Sequence, residues 1–289
     1  MNLGDLVVRK SYGGDVLFRI EQLARSFVML KGIQYRLLAD APLHDIQAVQ
    51  DMRISHKLAE SEARVLDRLT ESVRAQRERI WRQSAASPAS GRRQQAFFDM
   101  PGKILHLDGD ANYLRKSMAV YGKLNIPAEG MYVTETNMPT LLQRLLPQVR
   151  PDVVVVTGHD GMLKQREPLD PSDLNSYKNS AHFVQSVQIA RQYERDRDGL
   201  VVVAGACQSH FEALLQAGAN FASSPGRILI HALDPVAVAA KAAFTSVKET
   251  VNLPDVIHQT VSGVKGMGGI ETKGTHRLGY PHLQSTADA

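Results

Sequence analysis

Two short runs without a single polar residue, Val153-Val154-Val155-Val156 and Leu200-Val201-Val202-Val203-Ala204, constrain the fold of this 289-residue chain most tightly. With no polar position to turn toward water, such runs must be covered on both faces, the condition of strands inside a parallel sheet flanked by helices. Both stop at glycine turns rich in reactive side chains. The first ends in Thr157-Gly158-His159-Asp160-Gly161, the second in Gly205-Ala206-Cys207-Gln208-Ser209-His210.

The runs belong to a strand–helix alternation that begins near Phe97. Strands are expected at 103–107, 126–133, 153–156, 200–204 and near 227–231. Helices are expected after Asp110 through Tyr121, then over 138–149, 181–193 and 208–217. That alternation predicts an α/β fold of βαβ units, a mainly parallel sheet with helices on both faces. Residues 1–50 read differently. Leu6-Val7-Val8, then 16–20, 27–30 and 35–38, are short strand patterns separated by turns, and predict a small SH3-like β-barrel domain. Between Asp51 and Gln83 there is neither glycine nor proline, and Ile54, Leu58, Val65, Leu69, Val73 and Ile80 form one apolar stripe of a long helix. Residues 84–93 are small, polar and broken by Pro88 and Gly91, a linker open to proteolysis. The expected organisation is thus 1–50, 51–96 and 97–289.

Loops after the carboxyl ends of strands line the functional crevice of an open α/β sheet. Asp108, His159 and Cys207 hold that position after the first, third and fourth strands. A thiol and an imidazole on one sheet edge supply a Cys/His dyad for acyl transfer, thiolate attacking a carbonyl and imidazole protonating the departing amine. A helix beginning near Gln208 would favour thiolate at its N-terminus. Backbone N–H groups at Gly158, Gly161 and Ala206 are candidate oxyanion donors, each worth about 3 kcal/mol. Asp108 and Asp110 suit a basic substrate side chain. Asp160 could orient His159, bind a basic residue or cap the turn. His210 is the rival base, ranked second because a residue one helical turn on faces away from the mouth. Each residue also has an ordinary reading: a lone cysteine is often a small buried hydrophobe, a glycine-flanked histidine a turn, Asp-Gly-Asp a polar loop. Joint placement after consecutive strands favours the dyad.

A single cysteine excludes an internal disulfide. No H-E-x-x-H, paired C-x-x-C, P-loop or G-x-G-x-x-G after the first strand is present, so no cofactor or metal is expected. Residues 263–271 are glycine-rich and read as a flap or C-terminal loop. No leader pattern and no apolar stretch near the roughly 20 residues that span a bilayer occur, giving an expected cytosolic protein without membrane contact. The net charge of +4 is concentrated in residues 51–93, where interspersed glutamates favour a solvated helix over nucleic-acid binding.

The blocks ending in a His motif and in Ala-Cys resemble the caspase, legumain and gingipain class of cysteine peptidases. Across the whole chain the resemblance is to the YabG family of sporulation-specific cysteine proteases of endospore-forming bacteria. It rests on residues 4–19, 101–110, 156–160, 204–212, 218–225, 231–235 and 268–272, and is weakest over 51–96. The resemblance implies a caspase-like fold and an endopeptidase that processes spore coat and cortex-associated proteins during sporulation, cleaving after arginine. It implies action in the mother cell and the assembling coat. It puts the nucleophile on Cys207 and the base/acid on His159; it leaves the arginine pocket unassigned, and Asp108 is the expected floor from its place at the strand end. Two positions depart from the caspase pattern: Asp160 follows the histidine where glycine is usual, and Gly205 stands where caspases carry a glutamine that helps bind aspartate. The Arg92/Arg93 pair in the linker motivates a hypothesis of self-cleavage. The competing class is a non-enzymatic coat-assembly or nucleic-acid-binding protein that works through residues 1–93.

Overall fold

The computed structural model describes residues 1–14, 16–49, 52–85, 98–163 and 170–279. In chain order the strands β1 (Leu6–Arg9), β2 (Leu17–Leu23), β3 (Phe27–Gly32), β4 (Leu38–Pro42) and β5 (Ile46–Ala48) come first. They form one antiparallel sheet in the order β4-β3-β2-β1-β5, with an irregularity in β2 between Ile20 and Gln22. Val7, Phe18, Ile20, Val28, Leu30, Ala41 and Ile46 close its small core. The strand expected at 35–38 is instead a tight loop. Leu37 N–H donates to Tyr35 O and Gly32 N–H to Leu37 O, 2.8 Å each, so the chain turns back before β4 begins. A Cβ on Gly32 would stand 2.5 Å from Tyr35 O, which is why glycine occupies that position.

Helix α1 (Met52–Ala85) follows, then β6 (Phe98–Met100). Val65, Leu69 and Val73 from the expected stripe enter the main core, and Ile80 is buried. The side chains of Ile54 and Leu58, and the linker with Arg92 and Arg93, lie outside the described residues. Arg77 pins α1 down, pairing with Asp99 at 2.8 Å and lying over the Phe244 ring.

The remainder runs β7 (Ile104–Asp108), α2 (Ala111–Lys123), β8 (Ala128–Tyr132), α3 (Met138–Val149), β9 (Val153–Thr157), α4 (Ser180–Tyr193), β10 (Val201–Ala204), α5 (Phe211–Ala217), β11 (Phe221–Ser223), α6 (Asp234–Phe244), α7 (Leu253–Gln259), α8 (Gly263–Gly266), β12 (Met267–Gly269) and β13 (Arg277–Gly279). A six-stranded sheet has the order β12-β11-β10-β9-β7-β8, parallel except for β12 against β11. Val153, Val155, Val201 and Val203 pack on one face with residues of α1, α2, α6 and α7. Val154, Val156, Val202 and Ala204 pack on the other with residues of α3, α4 and α5. Period-two alternation between two covered faces explains why the runs Val153–Val156 and Leu200–Ala204 carry no polar residue.

Two boundaries differ from the sequence reading. Residues 227–231 are not a strand, because Ser224 and Arg227 take positive φ and carry the chain off the sheet after β11. The glycine-rich stretch is neither flap nor loop: it makes α8 and the edge strand β12. A Cβ on Gly269 would stand 2.4 Å from Asn220 O, so the close approach to β11 requires glycine there. The chain leaves β7 for β8 on one side and reaches β9 on the other. In open α/β sheets a reversal of this kind marks the position where ligands bind, here the carboxyl ends of β7 and β9.

Candidate functional site

Three neighbouring parallel strands deliver the site. Asp108 ends β7 opposite Thr157 at the end of β9, and Ala204 ends β10 opposite Val156. Beyond Ala204 the chain bends sharply, with Gly205 at φ +103° and Gln208 at φ +56°. A Cβ on Gly205 would come within 2.8 Å of Leu214, so the turn that carries Cys207 depends on glycine. Thr157 Oγ1 donates to Gly205 O at 2.9 Å and ties this turn to β9.

Cys207 is fully buried. Its sulfur accepts the Ile230 N–H at 3.2 Å. Burial pushes the thiol up to about 12, against the opposing influence of the Ile230 amide and of Arg36. The expected helix-start thiolate is therefore replaced by a neutral thiol. Helix α5 begins only at Phe211, capped by His210, whose Nδ1 accepts Ala213 N–H at 3.3 Å.

His159 is held from several sides. Its N–H donates to Glu135 Oε1 and its carbonyl accepts from Asn179 Nδ2, both at 2.8 Å. Ring atom Nε2 lies 2.9 Å from Asp110 Oδ2, whereas the buried Nδ1 has no partner among the described residues. Asp110 also caps α2, accepting from the Asn112 and Tyr113 amides, and pairs with Lys31 Nζ at 2.6 Å. Burial drives the Asp110 carboxyl up, but His159 and Lys31 outweigh it and hold it below the usual carboxylate range. Among the described residues no hydrogen bond joins Cys207 to His159: the ring is directed to Asp110, the thiol to Ile230.

Asp108 is equally engaged. Both of its oxygens accept from Arg36 Nη1, at 3.0 and 2.9 Å, and neither side chain is exposed. Burial raises Asp108, but the Arg36 guanidinium overrides it and keeps the carboxylate ionised. Asp160 is turned inward. It accepts from Asn179 N–H, Gly161 N–H, Ser209 Oγ and, over a short contact, Ser180 Oγ. Four donors account for the acceptor capacity of one carboxylate, a structural hub. Two of the three candidate oxyanion donors are likewise occupied, Gly161 N–H by Asp160 and Ala206 N–H by Ser209 Oγ at 2.9 Å. The backbone at Gly158 packs against Glu135, where a Cβ would meet Oε1. His210 Nε2 lies 3.0 Å from Ser172 O, on the side of an open surface cleft also lined by Leu174, Glu212 and Arg227.

Sequence reading missed Arg36 and Lys31, which come from the N-terminal sheet, and the role of Asp110 as partner of His159. The only local signal for Asp110 was its place just before a helix, and none pointed to Arg36. Among the described residues no group of three His, Cys, Asp or Glu side chains could hold a metal ion, and no helix is long and apolar enough to cross a membrane.

A family model described as YabG peptidase U57 matches residues 2–281. The sporulation-specific protease YabG of Bacillus subtilis (strain 168) is 44% identical over 288 residues, covering 97% of this chain and 98% of that protein. No solved structure matches.

Proposed function

Because the chain belongs to the YabG peptidase U57 family, we propose that it is a cysteine endopeptidase of sporulation, with Cys207 as nucleophile and His159 as general acid/base. The relative that shares 44% identity is a sporulation-specific protease, which supports proteolysis and the setting. One observation carries the residue assignment. Asp108 ends, and His159 and Cys207 closely follow, three hydrogen-bonded parallel strands, at the sheet edge where folds of this kind bind ligands.

In the proposed reaction the Cys207 proton passes to His159, the sulfur adds to the scissile carbonyl and the imidazolium returns the proton to the departing amine. Water then hydrolyses the thioester and regenerates the thiol. Gly158 is the backbone donor retained for the oxyanion. Asp110 holds the His159 ring, as a carboxylate does for a catalytic imidazole. Selectivity for arginine is assigned to Asp108, a buried carboxylate that already binds a guanidinium. The proposal extends to a caspase-like sheet domain over 97–289 and an SH3-like domain over 1–50. The substrates are spore coat and cortex-associated proteins in the mother cell and assembling coat. Self-cleavage at Arg92 or Arg93, which lie outside the described residues, is part of the same reading.

Purified wild type and the Cys207→Ala and His159→Ala variants, assayed on arginyl peptide amides, test it. Wild type cleaves, Cys207→Ala is inactive and His159→Ala is slowed by about 10²–10⁴, both with unchanged circular dichroism. Hydrolysis surviving in Cys207→Ala overturns the assignment. Intact masses of wild type and Cys207→Ala that remain identical rule out self-cleavage under the conditions used.

A further inference from the structure

We propose that the loop between β3 and β4, residues 33–37, is a resident substrate mimic that fills the peptide groove and keeps the enzyme latent. The inference rests on the reading of Cys207 as nucleophile and concerns what occupies that site before substrate does.

The loop pairs through its main chain with residues 230–232, beyond the end of β11. Arg36 N–H donates to Ile230 O at 3.2 Å, Ala232 N–H donates to Gln34 O at 2.7 Å, and Tyr35 pairs antiparallel with His231. The pairing is an isolated antiparallel bridge, and its main-chain bonds are of the type that hold an extended peptide against a partner segment. Ile230 also gives its own N–H to the Cys207 sulfur, so one residue touches both the reactive atom and the backbone of the occupant.

The side chain completes the likeness. Arg36 enters a closed pocket, where Nη1 binds both Asp108 oxygens and Nε and Nη2 bind Ala232 O at 3.2 and 3.0 Å. A guanidinium on a carboxylate floor with a carbonyl rim is what an arginyl substrate would find there. The same hairpin supplies Lys31, which engages the Asp110 carboxylate that holds His159. The Tyr113 hydroxyl, donating to the Gly32 and Tyr35 carbonyls, clamps the loop from the catalytic side.

The occupant is not itself in a cleavable conformation. The amide that follows Arg36, Leu37 N–H, is bonded back to Tyr35 O, and Leu37 O is held by Gly32 N–H. An extended scissile bond leaves those groups to the enzyme. The loop therefore blocks the site without being consumed, and substrate must displace it. Apparent reactivity is lowered by the fraction of molecules that are closed.

The thiol is the only cysteine, so its chemistry reads the state of the loop directly. In full-length Arg36→Ala, alkylation of Cys207 by iodoacetamide should be faster than in wild type by about tenfold or more. A peptidyl arginyl electrophile should gain more than its glutamyl counterpart. Unchanged alkylation overturns the inference, and so does equal acceleration by both peptide probes, which would signal general loosening. Should Arg36→Ala fail to fold, wild type settles the matter by hydrogen exchange. Once labelled to completion by the arginyl probe, it should lose protection at residues 34–37, and retained protection refutes the mimic. Failure of the dyad reading looks different: peptide hydrolysis would persist in Cys207→Ala, whatever the loop does.

Discussion

The His159 imidazole and the Asp110 carboxylate face each other at 2.9 Å, and Lys31 closes on the same carboxylate oxygen. Nε2 is committed to Asp110, which leaves Nδ1, buried and without a partner among the described residues, as the ring atom able to serve a substrate. Replacing His159 with alanine should lower kcat by about 10²–10⁴, the range of general acid–base contributions. Asp110→Asn keeps the shape but presents an amide to the ring, and should reduce kcat by a smaller factor with little change in KM. Steady-state kinetics on arginyl peptide amides give the split. A rise in KM alone would move Asp110 into substrate binding.

Arg36 and Asp108 are both closed to solvent, so their pair is stabilising only while both members remain. Removing one partner of a buried pair typically costs about 3–5 kcal/mol, since the other charge is left without compensation. Asp108→Leu and Arg36→Met should each shift the urea midpoint down. The double variant, which replaces both charges by apolar groups, should recover much of the loss. Additive losses would show that the two side chains do not act as a unit.

The Cys207 thiol, raised to about 12 by burial, binds its proton more tightly in the folded chain than in the unfolded one. The sign follows from linkage. Stability from this group is fully present below the unfolded value near 9 and is lost as pH rises toward 12. Between those limits the wild type should lose about 1.4 kcal/mol per pH unit more than Cys207→Ala. Chemical denaturation of both at pH 9, 10 and 11 gives the comparison. Parallel slopes would mean that the thiol is already exposed or ionised.

The parallel sheet was readable because unbroken apolar runs have few alternatives to two-sided burial, and Val153–Thr157 and Val201–Ala204 are strands as expected. Placement of His159 and Cys207 after consecutive strands followed from the same pattern. What escaped detection was long-range. Arg36 reaches Asp108 across 72 residues and Ala232 across 196, and no local periodicity records such contacts. Residues 35–38 carry an apolar strand pattern, yet the turn at Leu37 and the pairing with residues 230–232 override it. The neutral state of Cys207 was hidden for the same reason, since Ile230, which gives its N–H to the sulfur, lies 23 residues further along the chain.

Asp160 marks the difference between a residue that looks like a binding group and one that holds the site together. Its oxygens collect the Asn179 and Gly161 amides and the Ser180 and Ser209 hydroxyls, linking the loop after β9 to α4 and to the Cys207 turn. Burial pushes its carboxyl up despite those donors. Asp160→Ala would strand four donors, and leaving a buried group unsatisfied costs about 1–3 kcal/mol. The expected result is a large loss of stability, with selectivity between arginyl and lysyl substrates unchanged in whatever fraction remains folded. Asp160→Asn, which keeps one acceptor oxygen, should be milder. A variant of normal stability with altered selectivity would return Asp160 to the substrate groove.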